Sequence, residues 1–169
     1  MKHLNFLPLL VLAASLFPAA LVGGKAWAAD PPDETIDLPP GIACSNFALR
    51  VELWEGKGRT RELKDKNGYT RSLFAGTGSA FRLTNLLNGK SISTNNNGSS
   101  GLVETYEADG TVVITMRGHA LIIWFPTDNP PGPWTSLLSG HLVYSQSPDG
   151  VGSLLSMNGN ATDVCTELT

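Results

Sequence analysis

Few side chains in this 169-residue chain have the chemistry to act on a substrate. Beyond the first thirty residues there are two histidines, His119 and His141, and one aspartate, Asp128, inside an otherwise apolar and proline-rich segment. Imidazole and carboxylate are the usual general acids and bases, so a meeting of His119, His141 and Asp128 in space would give a barrel-type isomerase or hydrolase its acid–base pair. A metal is not expected, because no H-x-H or H-E-x-x-H spacing lines up two imidazoles. Serine nucleophiles need a G-x-S-x-G elbow, and Gly78-Ser79 and Gly152-Ser153 lack its flanks. Glycoside hydrolysis needs a distinguished pair of carboxylates. Glu52, Glu55, Glu104, Glu107 and Asp128 offer acids without singling out two of them. Gly76-Thr77-Gly78 leads from one strand into another, whereas a phosphate-cradling loop opens a helix. No cofactor is implied, and the function expected on these grounds is binding rather than catalysis.

For binding, the aromatic residues carry more weight. The segment GHALIIWFPTDNPPGPWT (118–135) holds His119, Trp124, Asp128 and Trp134, and His141 follows on the next strand. Aromatic platforms with a few polar groups suit small apolar ligands and glycans, so these five residues form the candidate binding set. The competing reading is a corner. Leu121 to Phe125 is apolar at every position, so both faces of that strand must meet something dry and Trp124 is core. Pro126 then ends the strand, Thr127-Asp128 caps a turn, and Pro130, Pro131 and Pro133 hold the loop extended.

The elements that position these residues are strands. In FALRVELW, Phe47, Leu49, Val51 and Leu53 alternate with Ala48, Arg50, Glu52 and Trp54, the period of a sheet that covers a core on one side. Further strands are predicted at 59–66, 69–75, 79–85, 90–95, 101–107, 111–117, 119–125, 135–147 and 151–158. Between them fall Asn67-Gly68, Asn88-Gly89, Asn97-Gly98, Asp109-Gly110 and Asp149-Gly150, pairs favoured in type I′ hairpin turns. No amphipathic helix exceeds two turns. Successive hairpins place sequence neighbours side by side, so the expected fold is an all-β, single antiparallel up-and-down barrel, with a two-sheet sandwich as the alternative.

Residues 1–28 read as a signal peptide: Lys2 and His3, an apolar run to Val22, and Ala26-Trp27-Ala28 as the cleavage signature. Residues 29–42, rich in proline and acid, read as an extended leader, and 43–169 as the barrel domain. The protein is then secreted or held in the cell envelope, with no membrane span after cleavage. Its partner is a small molecule, a glycan or another surface. Formal net charge is −3, and the basic residues are scattered along the chain, which argues against nucleic acid as a partner. In an exported chain the two cysteines, Cys44 and Cys165, are expected to pair. Closing a loop on the order of 100 residues stabilises the fold by about 4.7 kcal/mol in the chain-entropy picture. Asn97 and Asn160 match the N-x-S/T acceptor pattern.

Ala43-Cys44, KDKNG (Lys64 to Gly68), GHALIIWFPTD (Gly118 to Asp128) and Asp163-Val164-Cys165 together resemble a family of small exported proteins, largely actinobacterial, that have no assigned activity. The resemblance runs over nearly the whole chain after residue 28. It implies export and a single terminal disulfide, and none of its motifs is catalytic.

Overall fold

In the computed structural model residues 30–94 and 99–169 are described. The signal-peptide reading and the Asn97-Gly98 turn and acceptor site lie outside them. Pro32–Thr169 forms one compact unit. It contains ten strands and one short helix: β1 (Glu34–Leu38), β2 (Leu49–Trp54), β3 (Gly58–Lys64), β4 (Thr70–Thr77), β5 (Ala80–Asn85), β6 (Ser91–Ser93), β7 (Ser99–Tyr106), β8 (Val112–Trp124), β9 (Trp134–Gln146), β10 (Gly152–Asp163) and α1 (Val164–Glu167).

The strands form two antiparallel sheets, ordered β1-β2-β5-β6 and β10-β9-β8-β7-β4-β3. A closed barrel is therefore corrected to the two-sheet alternative: closure of the larger sheet needs β3 to pair with β10, and no such ladder exists among the described residues. The reason lies in the β2–β5 segment. β2 pairs β5 and β3 pairs β4, so residues 49–64 and 70–85 are one long hairpin that begins in the small sheet and ends in the large one. It changes sheets where two backbones touch. A Cβ on Gly56 would sit 2.0 Å from the Thr77 carbonyl oxygen, and one on Gly76 2.2 Å from that of Lys57. Short turns between neighbouring strands do not reveal that such a hairpin is shared.

A second line of close contact bends the large sheet. Gly118, Gly140 and Gly159 are paired across β8, β9 and β10. Gly118 and Gly159 have φ of 97° and 130°, and a Cβ on Gly140 would come within 2.1 Å of the Asn158 carbonyl oxygen. Straight 13-residue strands would be roughly 40 Å long. Yet the loop joining β8 to β9 at one end bonds to Gly152 at the other, the Asn129 amide donating to the Gly152 carbonyl at 2.8 Å. The sheet is thus folded over, and what reads as two strands, 111–117 and 119–125, is one strand bent at Gly118.

Two cores result. The small sheet (Leu49, Val51, Leu83) packs with Phe47 and with Val164 and Leu168 of the C-terminal segment against Leu121, Ile123 and Leu137. Inside the folded sheet, Ile122, Trp124 and Leu138 meet Met116, Leu142 and Tyr144. Both faces of 121–124 are dry, as the unbroken apolar run requires. Cys44 and Cys165 are joined. Asn85 and Asn88 each donate through Nδ2 to the Leu168 carbonyl at 3.0 Å, and the buried Thr135 hydroxyl donates to Ala43 O at 2.9 Å.

Local structure departs from the sequence reading in two further places. Glu34–Leu38, within the stretch read as a leader, is an edge strand, so the sheet starts before residue 43. Its side chains are mostly exposed, so no apolar alternation marks it; ladder bonds and a bidentate Asp37–Arg50 pair at 2.7 Å hold it. The turns also differ. Among the described residues none other than glycine has positive φ, which excludes type I′ at the four Asn-Gly and Asp-Gly turns they contain. In Asp65–Gly68, Glu107–Gly110 and Ser147–Gly150 the glycine amide instead donates back to the first residue's carbonyl, at 3.0, 3.2 and 2.9 Å. A turn of that span ending in a left-handed glycine is the three-residue hairpin loop with a bulge.

Gly140→Ala should therefore cost on the order of 3 kcal/mol in urea unfolding, because backbone must move, while Gly101→Ala, whose Cβ meets nothing within 4 Å, should stay within about 0.5 kcal/mol of wild type. Equal midpoints would remove the bend from this account. On the outer face of the small sheet, hydrogen bonds from Arg50 and Arg82 hold the Asp37 and Glu52 carboxyls below the usual range, and Arg82 also lies 5.6 Å from the Trp54 ring centre. Depressed carboxyl pKa values stabilise the fold above ~4 and lose that effect as pH falls through the folded values. Melting curves of wild type and the Arg50→Gln/Arg82→Gln variant should accordingly differ at pH 7 and converge in acid.

Candidate functional site

The 125–133 loop does not run extended. The Gly132 amide donates to the Phe125 carbonyl at 2.9 Å, so the loop turns straight back after β8. Asp128 is 8% exposed and is spent on backbone: Oδ2 accepts from the Phe125 amide at 2.7 Å and Oδ1 from the Gly152 amide at 2.8 Å. One carboxylate thereby closes its own turn and latches it to the first residue of β10. The corner reading of this aspartate is the one its contacts match.

Behind the latch, inside the folded sheet, lies a cavity of about 150 Å³ bordered by Met116, Ile122, Trp124, Asp128, Leu142 and Tyr144. Trp124, 3% exposed, stacks on Trp134 with ring centres 5.4 Å apart and meets Tyr144 edge-on at 6.0 Å. Its indole Nε1 is buried with no hydrogen-bond partner. Burial, reinforced by the charges of Glu104 and Asp128, pushes the Tyr144 hydroxyl's pKa up, so it stays a neutral donor. A half-open chamber with both polar and apolar lining, beside an unsatisfied N–H, suits a compact ligand with an acceptor atom.

The histidines lie elsewhere. His119 is paired with Ser139 and His141 with Arg117, in neighbouring rows of β8 and β9 on the side of the sheet opposite Trp124. His119 borders a hollow of about 210 Å³ with Phe81, Leu137 and Ser139, where the edge of the small sheet meets the large one. His141 borders a broader, shallow groove of about 460 Å³ with Arg71, Arg117, Val103 and Val143. Asp128 shares neither space with them. Among the described residues no three histidine, cysteine or acidic side chains gather as a metal site would need.

Of the five candidate residues, the fold thus brings Trp124, Asp128 and Trp134 to one place and separates His119 and His141 from them. Tyr144, Met116 and Leu142 escaped the sequence reading: their alternation in β8 and β9 was visible, but only the Gly118–Gly140 bend brings it over Trp124. Comparison with known proteins finds no matching family model, no matching curated protein and no matching solved structure.

Replacing Trp124 by Ala should cost about 3–5 kcal/mol through the void left between the sheet halves. Asp128→Ala should cost roughly 2–3 kcal/mol, since charged hydrogen bonds to two amides are lost and the Gly152 amide stays buried. Denaturant midpoints of the two variants check this, and a midpoint for Asp128→Ala matching wild type would refute the latch.

Proposed function

We propose that the protein is an exported, non-enzymatic β-sheet domain that binds a small, mainly apolar ligand in the chamber of its folded sheet. The observation that carries this reading is the Trp124 N–H, buried without a protein acceptor on a residue that borders a 150 Å³ cavity. A cavity of that size takes a benzene-sized molecule. Supplying the missing acceptor offsets the cost of an unpaired buried donor, so a ring bearing one carbonyl fits better than a bare hydrocarbon. The binding reading is favoured over an acid–base enzyme because Asp128 is engaged by two backbone amides, away from both histidines.

Cyclohexanone and methylcyclohexane make a matched pair of probes. Titrated into ¹⁵N-labelled protein, the ketone should shift the Trp124 indole N–H resonance and bind at least about tenfold tighter than the hydrocarbon, the value of one buried hydrogen bond. An unmoved Trp124 indole signal at saturating ketone would sink the proposal.

A further inference from the structure

The basic residues are scattered in the sequence, but the sheet collects them. β-Strand side chains alternate between faces, and directly paired residues share a face. Arg59 pairs Ala75, Arg61 pairs Leu73, and Leu63 pairs Arg71. Through the β4–β7, β7–β8 and β8–β9 ladders this same face continues to Arg117 and His141. Arg59, Arg61, Arg71, Arg117 and His141 therefore stand on one side of the large sheet, outside the Gly118–Gly140 bend. No strand residue sharing that face there is acidic, and none is aromatic. Among the described residues Arg71 and Arg117 make no ion pair. The Nε of Arg71 is buried and lacks an acceptor. A protein of net charge −3 has thus kept its carboxylates off one basic face.

The face is shaped as well as charged. Arg71, Arg117 and His141 flank the 460 Å³ groove, whose floor is Gly101, Val103, Thr115 and Val143. A Cβ added at Gly101 would meet nothing within 4 Å, so the floor is open there. With strands ~4.8 Å apart, the band from Arg59 on β3 to His141 on β9 spans roughly 19 Å. That is too long for one small anion and suits a chain with repeated charges.

We infer that this groove binds an acidic polysaccharide, its oxyanions held by Arg71 and Arg117 and its chain lying across the strands over Gly101. Guanidinium groups bind carboxylate and sulfate oxygens in bidentate fashion, and exposed basic clusters are the common footprint of heparin-like polymers. The absence of aromatic residues disfavours single-stranded nucleic acid, whose bases need stacking partners. Membrane insertion would want apolar side chains at the rim, and Leu63 alone stands there as an exposed large hydrophobe. The site is separate from the Trp124 chamber, so the two proposals fail independently.

The test uses the whole protein with polygalacturonate (carboxylated), dextran sulfate, neutral dextran, a single-stranded oligonucleotide and anionic lipid vesicles. Polygalacturonate or dextran sulfate should bind with an affinity that falls steeply as salt rises, and neutral dextran should not bind. Arg71→Gln/Arg117→Gln should lose about tenfold or more, while the charge-matched control Lys57→Gln/Lys66→Gln on exposed residues should lose little. Gly101→Leu leaves every charge in place and should weaken binding by obstructing the floor, with the Trp124 indole resonance unchanged as evidence of an intact fold. The inference is overturned if neither acidic glycan binds, if the oligonucleotide or the vesicles bind more tightly than both, or if Arg71→Gln/Arg117→Gln and Gly101→Leu bind as wild type does.

Discussion

Backbone touching backbone at two sets of glycines is the constraint on which this molecule depends. At Gly56 and Gly76 a long hairpin passes from one sheet to the other. At Gly118, Gly140 and Gly159 the large sheet folds on itself. At Gly56, Gly76, Gly140 and Gly159 even one methyl group would overlap a carbonyl oxygen 2.0 to 2.3 Å away. Without the first contact the two sheets would be one. Without the second, Trp124 and Tyr144 would stand far apart on a flat surface with nothing to cover them.

The fold-over also explains why a chain of modest size supports two cores. The central stretch 121–124 serves as a shared wall, giving Leu121 and Ile123 to the small sheet and Ile122 and Trp124 to the folded half. Such a wall must be apolar on both sides. The Asp128 latch sits at its end, converting one buried carboxylate into two backbone hydrogen bonds and fixing the loop to β10. The outer faces are treated differently from each other: ion pairs ladder the small sheet through Asp37–Arg50 and Glu52–Arg82, while the arginines on the exposed half of the large sheet have no ion-pair partner among the described residues.

Much of the strand content was legible because alternation is local. FALRVELW and LIIWF could be assigned their faces from side-chain type alone, and the disulfide followed from a pair of cysteines in a chain that reads as exported. Register is a property of two segments, and there the sequence is silent. Nothing in Gly118, Gly140 or Gly159 taken singly says that they will be partners, so the bend, the chamber and Tyr144's place in it were hidden. The same holds for Arg71 and Arg117, 46 positions apart in the chain and brought to one face only through β7. Asp128 was readable as a turn cap, but its hold on Gly152 was not. The β1 strand was missed because an exposed edge needs no apolar stripe.

The fastening of residues 164–168 bears on how late the fold can close. Cys165 finds Cys44, Leu168 finds Asn85 and Asn88, and Val164 completes the core beneath the small sheet, so these contacts join residues 80 or more positions apart in the chain. Until these contacts form, Leu49, Val51 and Leu83 lack part of their cover and the long-range loop entropy has not been repaid. The domain is therefore slow to close.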